Sequence, residues 1–376
     1  IGMVDPYGRA LPLQQAYRNS MDFAFSQVAT GASDYNTAVR LAVKNLAEKG
    51  IQTIDYQSGI HASLEAAVRR SVMGGLGLMQ EQISNQTHDD LGANGWEISA
   101  HAASAPDHEP IQGKQYSDEE YETLNNSLIR RIGTLNCGHS AFPIILGVTP
   151  PQYTKEELEK YRLDNERGID YAGKHYTMYE ATQRQRRLET SMRRQKWRIL
   201  ADEATGDTEK LQQDQIKLQV LNQEYWRFSK AAGLRTQDAR AEVVGFGGKQ
   251  GIAAQDAFEK TLLPKRNSAL IPTEKFTEYA LNPEKSLDKS IAFSNALGYN
   301  LDNADALIQN IRDNLSSFPA TEKGRNEYGT RYEVRMKLTG ANQRTANVIT
   351  AWLDDAKTGK MRLISAYVDR KRSADK

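Results

Sequence analysis

The sequence contains one cysteine, Cys137, and carries a formal net charge of only +1 over 376 residues. A single cysteine excludes an internal disulfide. The near-neutral charge provides no overall attraction to nucleic acid or membranes, so any such binding requires a local patch. No apolar run approaches the ~20 residues of a membrane-spanning helix, and the opening IGMVDPYGRALPLQQ lacks the pattern of a Sec signal. We therefore expect no membrane partner. The absence of an initiator methionine indicates a fragment or a processed chain.

Length and composition bound the number of folded units. A chain of 376 residues is long enough for about two or three domains of ordinary size. The 39% hydrophobic content permits real cores, whereas a mean hydropathy of -0.66 and 26% charged residues indicate much exposed surface. Changes in composition divide the sequence into four parts, which are residues 1–150, 151–240, a linker at 241–255, and 256–376.

The first part shows the periodicity of an α+β domain, with helices leading into a small sheet. We predict strands at 51–56, 96–100 and 142–146, and helices at 13–30, 36–49, 62–91 and 118–132. Gly74, Gly75 and Gly77 lie inside the third helix, where each glycine costs roughly 0.5–1 kcal/mol relative to alanine. Such a cluster predicts close backbone packing or a kink. It does not predict a nucleotide loop, because no GK[ST] follows it.

The stretch from 96 to 147 holds the cysteine and three of the six histidines between two predicted strands. Imidazole nitrogens and a thiolate are ligands that zinc prefers in a tetrahedral site. The candidate ligands are His101, His108, Cys137 and His139. The spacing H-x6-H…C-x-H is not a standard zinc pattern. The alternative is that Asp107, His108 and the 136–139 turn hydrogen-bond to each other and to the loop backbone.

Charge and glutamine dominate residues 151–240. A short helix at 155–166 precedes two long ones at 179–203 and 208–232, which favour an antiparallel helical hairpin. The first long helix carries a basic block that would suit DNA phosphates, contacted without sequence preference: Arg186, Arg187, Arg193, Arg194 and Lys196. We favour the alternative, in which the block is a solvated helix face and the hairpin is a spacer or docking arm.

Residues 256–376 predict a separate α+β domain. Helices at 276–281, 286–298 and 304–315 precede three alternating strands in an antiparallel meander. In the first of these strands, alternation predicts that one face carries Tyr332, Val334, Met336 and Leu338 and that the other carries Glu333, Arg335 and Lys337. No histidine follows His175, so an imidazole acid–base pair is excluded from this domain. Nuclease chemistry would instead use cationic side chains, a tyrosine and a carboxylate base. The candidates are Lys289, Glu333, Arg335, Lys337, Arg344 and Tyr367. The alternative is that these residues decorate a solvated sheet face.

The segments SAHAASAPDHEPIQGKQYS and GTLNCGHSAFPIILG resemble the core of phage minor capsid protein 2, a branch of the MuF-like head-morphogenesis proteins. The resemblance runs from about residue 13 to residue 234. It implies a virion protein that lies near the portal vertex in few copies and contacts portal and capsid proteins. It also implies that the protein is ejected with the DNA into the host cytoplasm. Relatives have a further N-terminal helical region. The matching residues are His101, Asp107, His108, Gln112, Gly113, Cys137 and His139.

The stretch from LIPTEKF to LISAYV resembles an uncharacterised domain at the C-termini of polymorphic toxins. This resemblance implies an effector-like domain with an immunity protein as a partner, and its layout is similar to the barnase/RelE ribonuclease fold, which would act on host RNA. The leading prediction is a phage structural protein with a toxin-like domain, and an active ribonuclease is the alternative. A zinc-dependent hydrolase at the His/Cys set is a further alternative, although the deaminase signatures H-x-E and P-C-x-x-C are both absent.

Overall fold

The computed structural model describes residues 3–4, 9–55, 59, 61–134 and 137–369 of the chain. Tyr56, the predicted end of the first strand, lies outside them. The chain divides into two compact units. Unit 1 comprises Ile1–Arg167 and Gln237–Val244, and unit 2 comprises Gly168–Thr236 and Gly245–Lys376. The described helices include none that is both long enough and apolar enough to cross a bilayer.

Unit 1 packs three long helices together and adds a small sheet. Its helices are α1 (Leu13–Ala29), α2 (Tyr35–Glu48), α3 (Leu64–Leu91), α4 (Asp118–Ser127) and α5 (Lys155–Arg167). Its strands are β1 (Met3–Val4), β2 (Ala10–Leu11), β3 (Thr53–Asp55), β4 (His61–Ser63), β5 (Gly95–Ile98), β6 (Gln115–Ser117) and β7 (Ala141–Ile144). Strand β5 lies between β6 and β7, and both pairings are antiparallel.

Side-chain caps set where these helices begin. Asp34 accepts a hydrogen bond from the Thr37 amide at α2, and Ser63 does the same for Ala66 at α3. Ser117 and Glu120 form a reciprocal capping box at α4. The buried faces of α1, α2 and α3 then form one core that includes Leu46, Leu64 and Val68.

The predicted close packing of α3 occurs at Gly77. A Cβ atom on Gly77 would lie 1.9 Å from the Gly133 carbonyl oxygen, so only glycine fits at this contact. At Gly74, by contrast, a Cβ atom would meet nothing within 4 Å. One glycine therefore brings the helix against the loop that leads to Cys137.

Unit 2 contains the helical hairpin and the C-terminal sheet. Its helices are α6 (Met178–Thr205), α7 (Thr208–Ala231), α8 (Gly248–Glu259), α9 (Leu287–Leu297) and α10 (Ala304–Asn314), and Phe276–Ala280 forms a π-helix. Its strands are β8 (Ile169–Tyr171), β9 (Lys174–Tyr176), β10 (Ala320–Asn326), β11 (Gly329–Thr339), β12 (Thr345–Asp355) and β13 (Met361–Val368).

The C-terminal sheet is an antiparallel meander in the order β10-β11-β12-β13. Val334, Met336 and Leu338 are fully buried on one face and pack with residues of α9 and α10 in a single core. The predicted α+β class and the face assignment of β11 are confirmed. Strand β10 was not predicted from the sequence.

The predicted linker at 241–255 is structured. The Arg69 guanidinium donates to the backbone oxygens of Ala239 and Arg240, and Ala241 and Val243 are buried. Residues 237–244 therefore belong to unit 1, and α8 begins four residues later.

Candidate functional site

Two loops at one end of the small sheet of unit 1 carry the candidate ligands. The loop between β5 and β6 contains His108, and the segment before β7 contains Cys137 and His139. The register pairs Ile98 with Ala141 at the end of the two strands. Beyond that pair, Ser99 donates its amide to the Ser140 carbonyl at 2.8 Å. Strand pairing therefore brings together ligands that lie about thirty residues apart in sequence.

Three candidate ligand atoms form a compact triangle. The Cys137 Sγ lies 3.3 Å from His108 Nδ1 and 3.4 Å from His139 Nδ1, and the two Nδ1 atoms are 3.4 Å apart. A tetrahedral zinc ion with bonds of about 2.0–2.1 Å to nitrogen and about 2.3 Å to sulfur separates its ligand atoms by roughly 3.3–3.6 Å. The triangle therefore has the dimensions of one face of a zinc tetrahedron.

The outer ring nitrogens of both histidines have carbonyl partners. His108 Nε2 donates to the backbone oxygen of Arg130 at 2.9 Å, and His139 Nε2 donates to Gln112 Oε1 at 3.0 Å. Each ring then presents an unprotonated Nδ1 to the triangle. Burial is the largest cause that lowers the pKa of His139, to about 3, so its ring is neutral. Neutral imidazole is the form that binds metals.

Gln112 and Gly113 position this site. Gln112 Oε1 accepts a hydrogen bond from the His101 amide at 3.1 Å, which links the two ends of the β5–β6 loop. The same oxygen accepts from His139, which links that loop to the segment before β7. Gly113 has φ of +66°, and its Cβ atom would lie 2.4 Å from Leu158 Cδ2. A side chain at this position would therefore strain the backbone and would displace the Leu158 side chain.

His101 lies outside the ligand triangle, so the structure groups three of the four predicted ligands. Its Nδ1 donates to the Ala102 carbonyl at 2.9 Å, and its ring stands 4.2 Å from that of His139. Its Nε2 is buried and has no hydrogen-bond partner. The ring therefore keeps an unused lone pair beside the cluster.

Asp107 faces Arg130 rather than the triangle. Its carboxylate accepts from Arg130 Nη2 at 2.7 Å and lies 3.8 Å from His108 Nε2. Partial burial opposes ionisation, but Arg130 and His108 outweigh it and hold the pKa of Asp107 below its usual value. Asp107 thus fixes the side chain of Arg130, whose backbone oxygen orients His108. The carbonyl of Arg130 is a contact that sequence reasoning missed, since a backbone group leaves no signal in the sequence.

A cleft of about 290 Å³ adjoins the triangle. Cys137 and His139 line it together with Trp96, Tyr121 and the Met73–Asn85 part of α3. Trp96 stacks between His88 and Tyr121. Burial raises the pKa of Tyr121 to about 12, which keeps its hydroxyl protonated. Two of the three candidate ligands, Cys137 and His139, therefore border this cleft.

The candidate nuclease residues of unit 2 are dispersed, and three of them have ion-pair partners. Glu333 pairs with Lys323 at 3.6 Å, Arg335 with Asp369 at 2.5 Å, and Lys337 with Glu224 at 2.8 Å. Lys289 Nζ lies 3.3 Å from Ser365 Oγ and over the rings of Tyr279 and Tyr367. Arg344 lies in the β11–β12 turn. The structure brings Lys289 and Tyr367 together, but it does not gather all six residues.

The basic block on α6 is divided by the hairpin packing. Arg186, Arg187 and Arg194 are exposed. Arg193 is buried in the hairpin and donates to Thr190 Oγ1, so it lies off the exposed face. The half-buried Lys196 places its Nζ 5.2 Å from the Phe246 ring centre. Only three of the five predicted DNA contacts therefore share an exposed surface.

Comparison with known proteins identifies the class as a phage structural protein. The chain belongs to the family described as phage minor capsid protein 2, which matches residues 10–228 and so covers more than half of the sequence. A domain of unknown function (DUF6883) matches residues 262–370. No curated protein and no solved structure matches. Family membership supports a place in the virion among other capsid components. The second match names no activity, so the toxin-like and ribonuclease assignments stay predictions.

Proposed function

We propose that this protein is a minor component of the phage head that sits at the portal vertex in few copies and contacts the portal and other capsid proteins. The family match over residues 10–228 supports this role. It spans α1 to α5 of unit 1 and nearly all of the α6–α7 hairpin. The protein would be ejected with the DNA, and the exposed Arg186, Arg187 and Arg194 would contact packaged DNA through phosphates.

Mass spectrometry of purified virions and of particles that have released their DNA tests this role. We expect peptides from this chain at a few copies per portal ring, cross-links to the portal, and depletion of the peptides after DNA release. Peptides at the abundance of the major capsid protein, or absence from purified virions, would contradict the proposal.

We further propose that unit 1 holds zinc through His108, Cys137 and His139. The observation that carries this proposal is the triangle of two unprotonated Nδ1 atoms and one sulfur, with sides of 3.3–3.4 Å. Bound zinc would fasten the loop after β5 to the segment before β7, which is the role of a structural metal. The histidine contacts to Arg130 and Gln112 are of the kind that orients metal-binding imidazoles.

The adjoining cleft keeps a zinc-dependent hydrolase as an alternative use of the same residues. With three protein ligands, a zinc ion retains one position for water or a substrate. The acidic residue lining the cleft, Glu81, is already paired with Arg131 at 2.8 Å, so it is not free to act as a base. The structural role therefore has better support.

The second candidate function is ribonuclease activity in the C-terminal domain, with an immunity protein as the natural partner. The observation that favours it concerns Lys289. Although burial lowers the pKa of its ammonium group, among the described residues no carboxylate lies within salt-bridge distance to neutralise its charge. A lysine between Tyr279 and Tyr367 is suited to stabilise developing phosphate charge.

Inducible expression of the full chain in a bacterial host tests this activity. We expect growth arrest with RNA cleavage, relieved by Lys289→Gln and unaffected by Lys285→Gln. Lys285 is an exposed lysine close to the start of α9, which makes it a matched control. Intact RNA during wild-type expression, or equal relief by both variants, would contradict the ribonuclease assignment.

A further inference from the structure

A cationic cluster lies where the helical hairpin meets the sheet of unit 2. Glu224 Oε1 accepts hydrogen bonds from Lys337 Nζ at 2.8 Å and from Arg184 Nη2 at 3.1 Å. Its Oε2 accepts from the Tyr171 hydroxyl at 3.1 Å and lies 3.7 Å from Arg227 Nη2. One carboxylate on α7 thus organises groups from β8, α6, α7 and β11.

The charges in this cluster do not balance. Three cationic side chains surround one carboxylate, and in the described part of the chain no other acid lies within salt-bridge distance of them. The side chains are 20–22% exposed for the cations and 13% exposed for Glu224. Uncompensated positive charge at this depth is costly, because desolvation is not repaid by a partner.

Several guanidinium donors in the cluster are also unsatisfied. Arg184 Nε, Arg227 Nε and Arg227 Nη1 are buried and have no hydrogen-bond partner. Aromatic rings cover the guanidinium faces, with Phe318 at 4.2 Å from Arg227 and Phe228 at 5.2 Å from Arg184. Stacking satisfies the faces but leaves the N–H edges without acceptors, and each buried unpaired donor costs free energy.

We propose that Arg184, Arg227 and Lys337 form a binding site for a phosphate group, either free or in a nucleic-acid backbone. A phosphate brings the negative charge that the cluster lacks and several acceptor oxygens for the unpaired N–H groups. Arginine edges match phosphate oxygens in pairs. Because the cations are about one-fifth exposed, an anion can reach the exposed part of the cluster from solvent, and pairing with the buried N–H groups requires the arginine side chains to reorient. Lys337 then serves as a phosphate ligand rather than as part of the predicted nuclease centre.

Isothermal titration calorimetry tests the site, with inorganic phosphate injected into the full chain in a buffer that contains no other phosphate. We expect saturable binding that Arg227→Gln weakens by about tenfold or more, since hydrogen bonds to charged groups are strong. Lys337→Gln should weaken it similarly. Arg198→Gln, an exposed arginine on the same hairpin, should leave it unchanged. Glu224→Gln should tighten binding because it removes the competing negative charge.

Competition with a short single-stranded DNA oligonucleotide separates the two sources of phosphate. Displacement of inorganic phosphate would assign the site to a nucleic-acid backbone, and failure to displace it would assign the site to free phosphate. The proposal is overturned if the wild-type chain shows no saturable binding, or if Arg198→Gln loses as much affinity as Lys337→Gln. Circular dichroism identifies any variant that fails to fold, and the remaining cluster variant then decides.

Discussion

Cys137→Ser is expected to remove stoichiometric zinc from the purified protein and to lower the thermal stability of unit 1 sharply. The thiolate is one of three ligand atoms within 3.3–3.4 Å of each other, and serine lacks an anion at neutral pH. Structural zinc supplies apparent binding free energies of about 10–16 kcal/mol in small domains, so its loss is felt as a loss of folding stability. Elemental analysis for zinc and calorimetric unfolding provide the two measurements.

His175→Gln is the matched control for this experiment. His175 lies on β9 in unit 2, pairs with Asp170 at 3.0 Å, and is not one of the three residues of the triangle. We expect this variant to retain about one zinc ion per chain, the number that one such site holds. A wild-type protein that carries no zinc after expression with added zinc, or a Cys137→Ser protein that retains a full equivalent, would contradict the zinc proposal.

Most helices could be predicted from the sequence because their boundaries depend on local chemistry. The prediction for α3 at 62–91 agrees with the observed Leu64–Leu91, which begins at the Ser63 cap and ends at Gly92 with φ of +58°. The predicted helix at 118–132 instead ends at Ser127, where Leu128 turns to an extended backbone. Strand β10 escaped prediction because all but the first of its seven residues are exposed, which leaves no alternation to detect.

The residue types of the proposed metal site could be listed from the sequence, but which of them lie together could not. Residue types identified four candidate ligands, whereas the choice among them depends on which ring nitrogen is engaged elsewhere. His101 is held away by its bond to the Ala102 carbonyl, and His139 is turned inwards by Gln112. These contacts are set by the fold of the loop, which has no periodic signature in the sequence.

The cluster around Glu224 could not be predicted from the sequence either, because its members are brought together by the fold from distant positions in the chain. Lys337 and Glu224 are 113 positions apart in sequence and meet only because the hairpin and the sheet form one unit. The alternation of β11 correctly placed Lys337 opposite the core face, and from the sequence that face was taken as either catalytic or solvated. The structure gives it a third property, since part of this face is covered by the hairpin and carries an ion-pair network.

Gly77→Ala is expected to destabilise unit 1 by about 2 kcal/mol or more, whereas Gly74→Ala should stabilise it by about 0.5–1 kcal/mol. Both residues lie in α3, where alanine is the better helix former. At Gly77 the new methyl would stand 1.9 Å from the Gly133 carbonyl oxygen, and both partners are backbone, so the loop must move. At Gly74 nothing lies within 4 Å, and only the gain in helix propensity remains.

Hydrogen exchange of peptides from α3 measures both substitutions on one scale. We expect faster exchange in Gly77→Ala and slower exchange in Gly74→Ala, with zinc affinity reduced only in the former. The coupling to zinc follows from the chain path, because Gly133 precedes Cys137 by four positions and the same loop supplies the Arg130 carbonyl to His108. Equal effects of the two substitutions would show that the contact between α3 and this loop does not hold the ligand triangle in place.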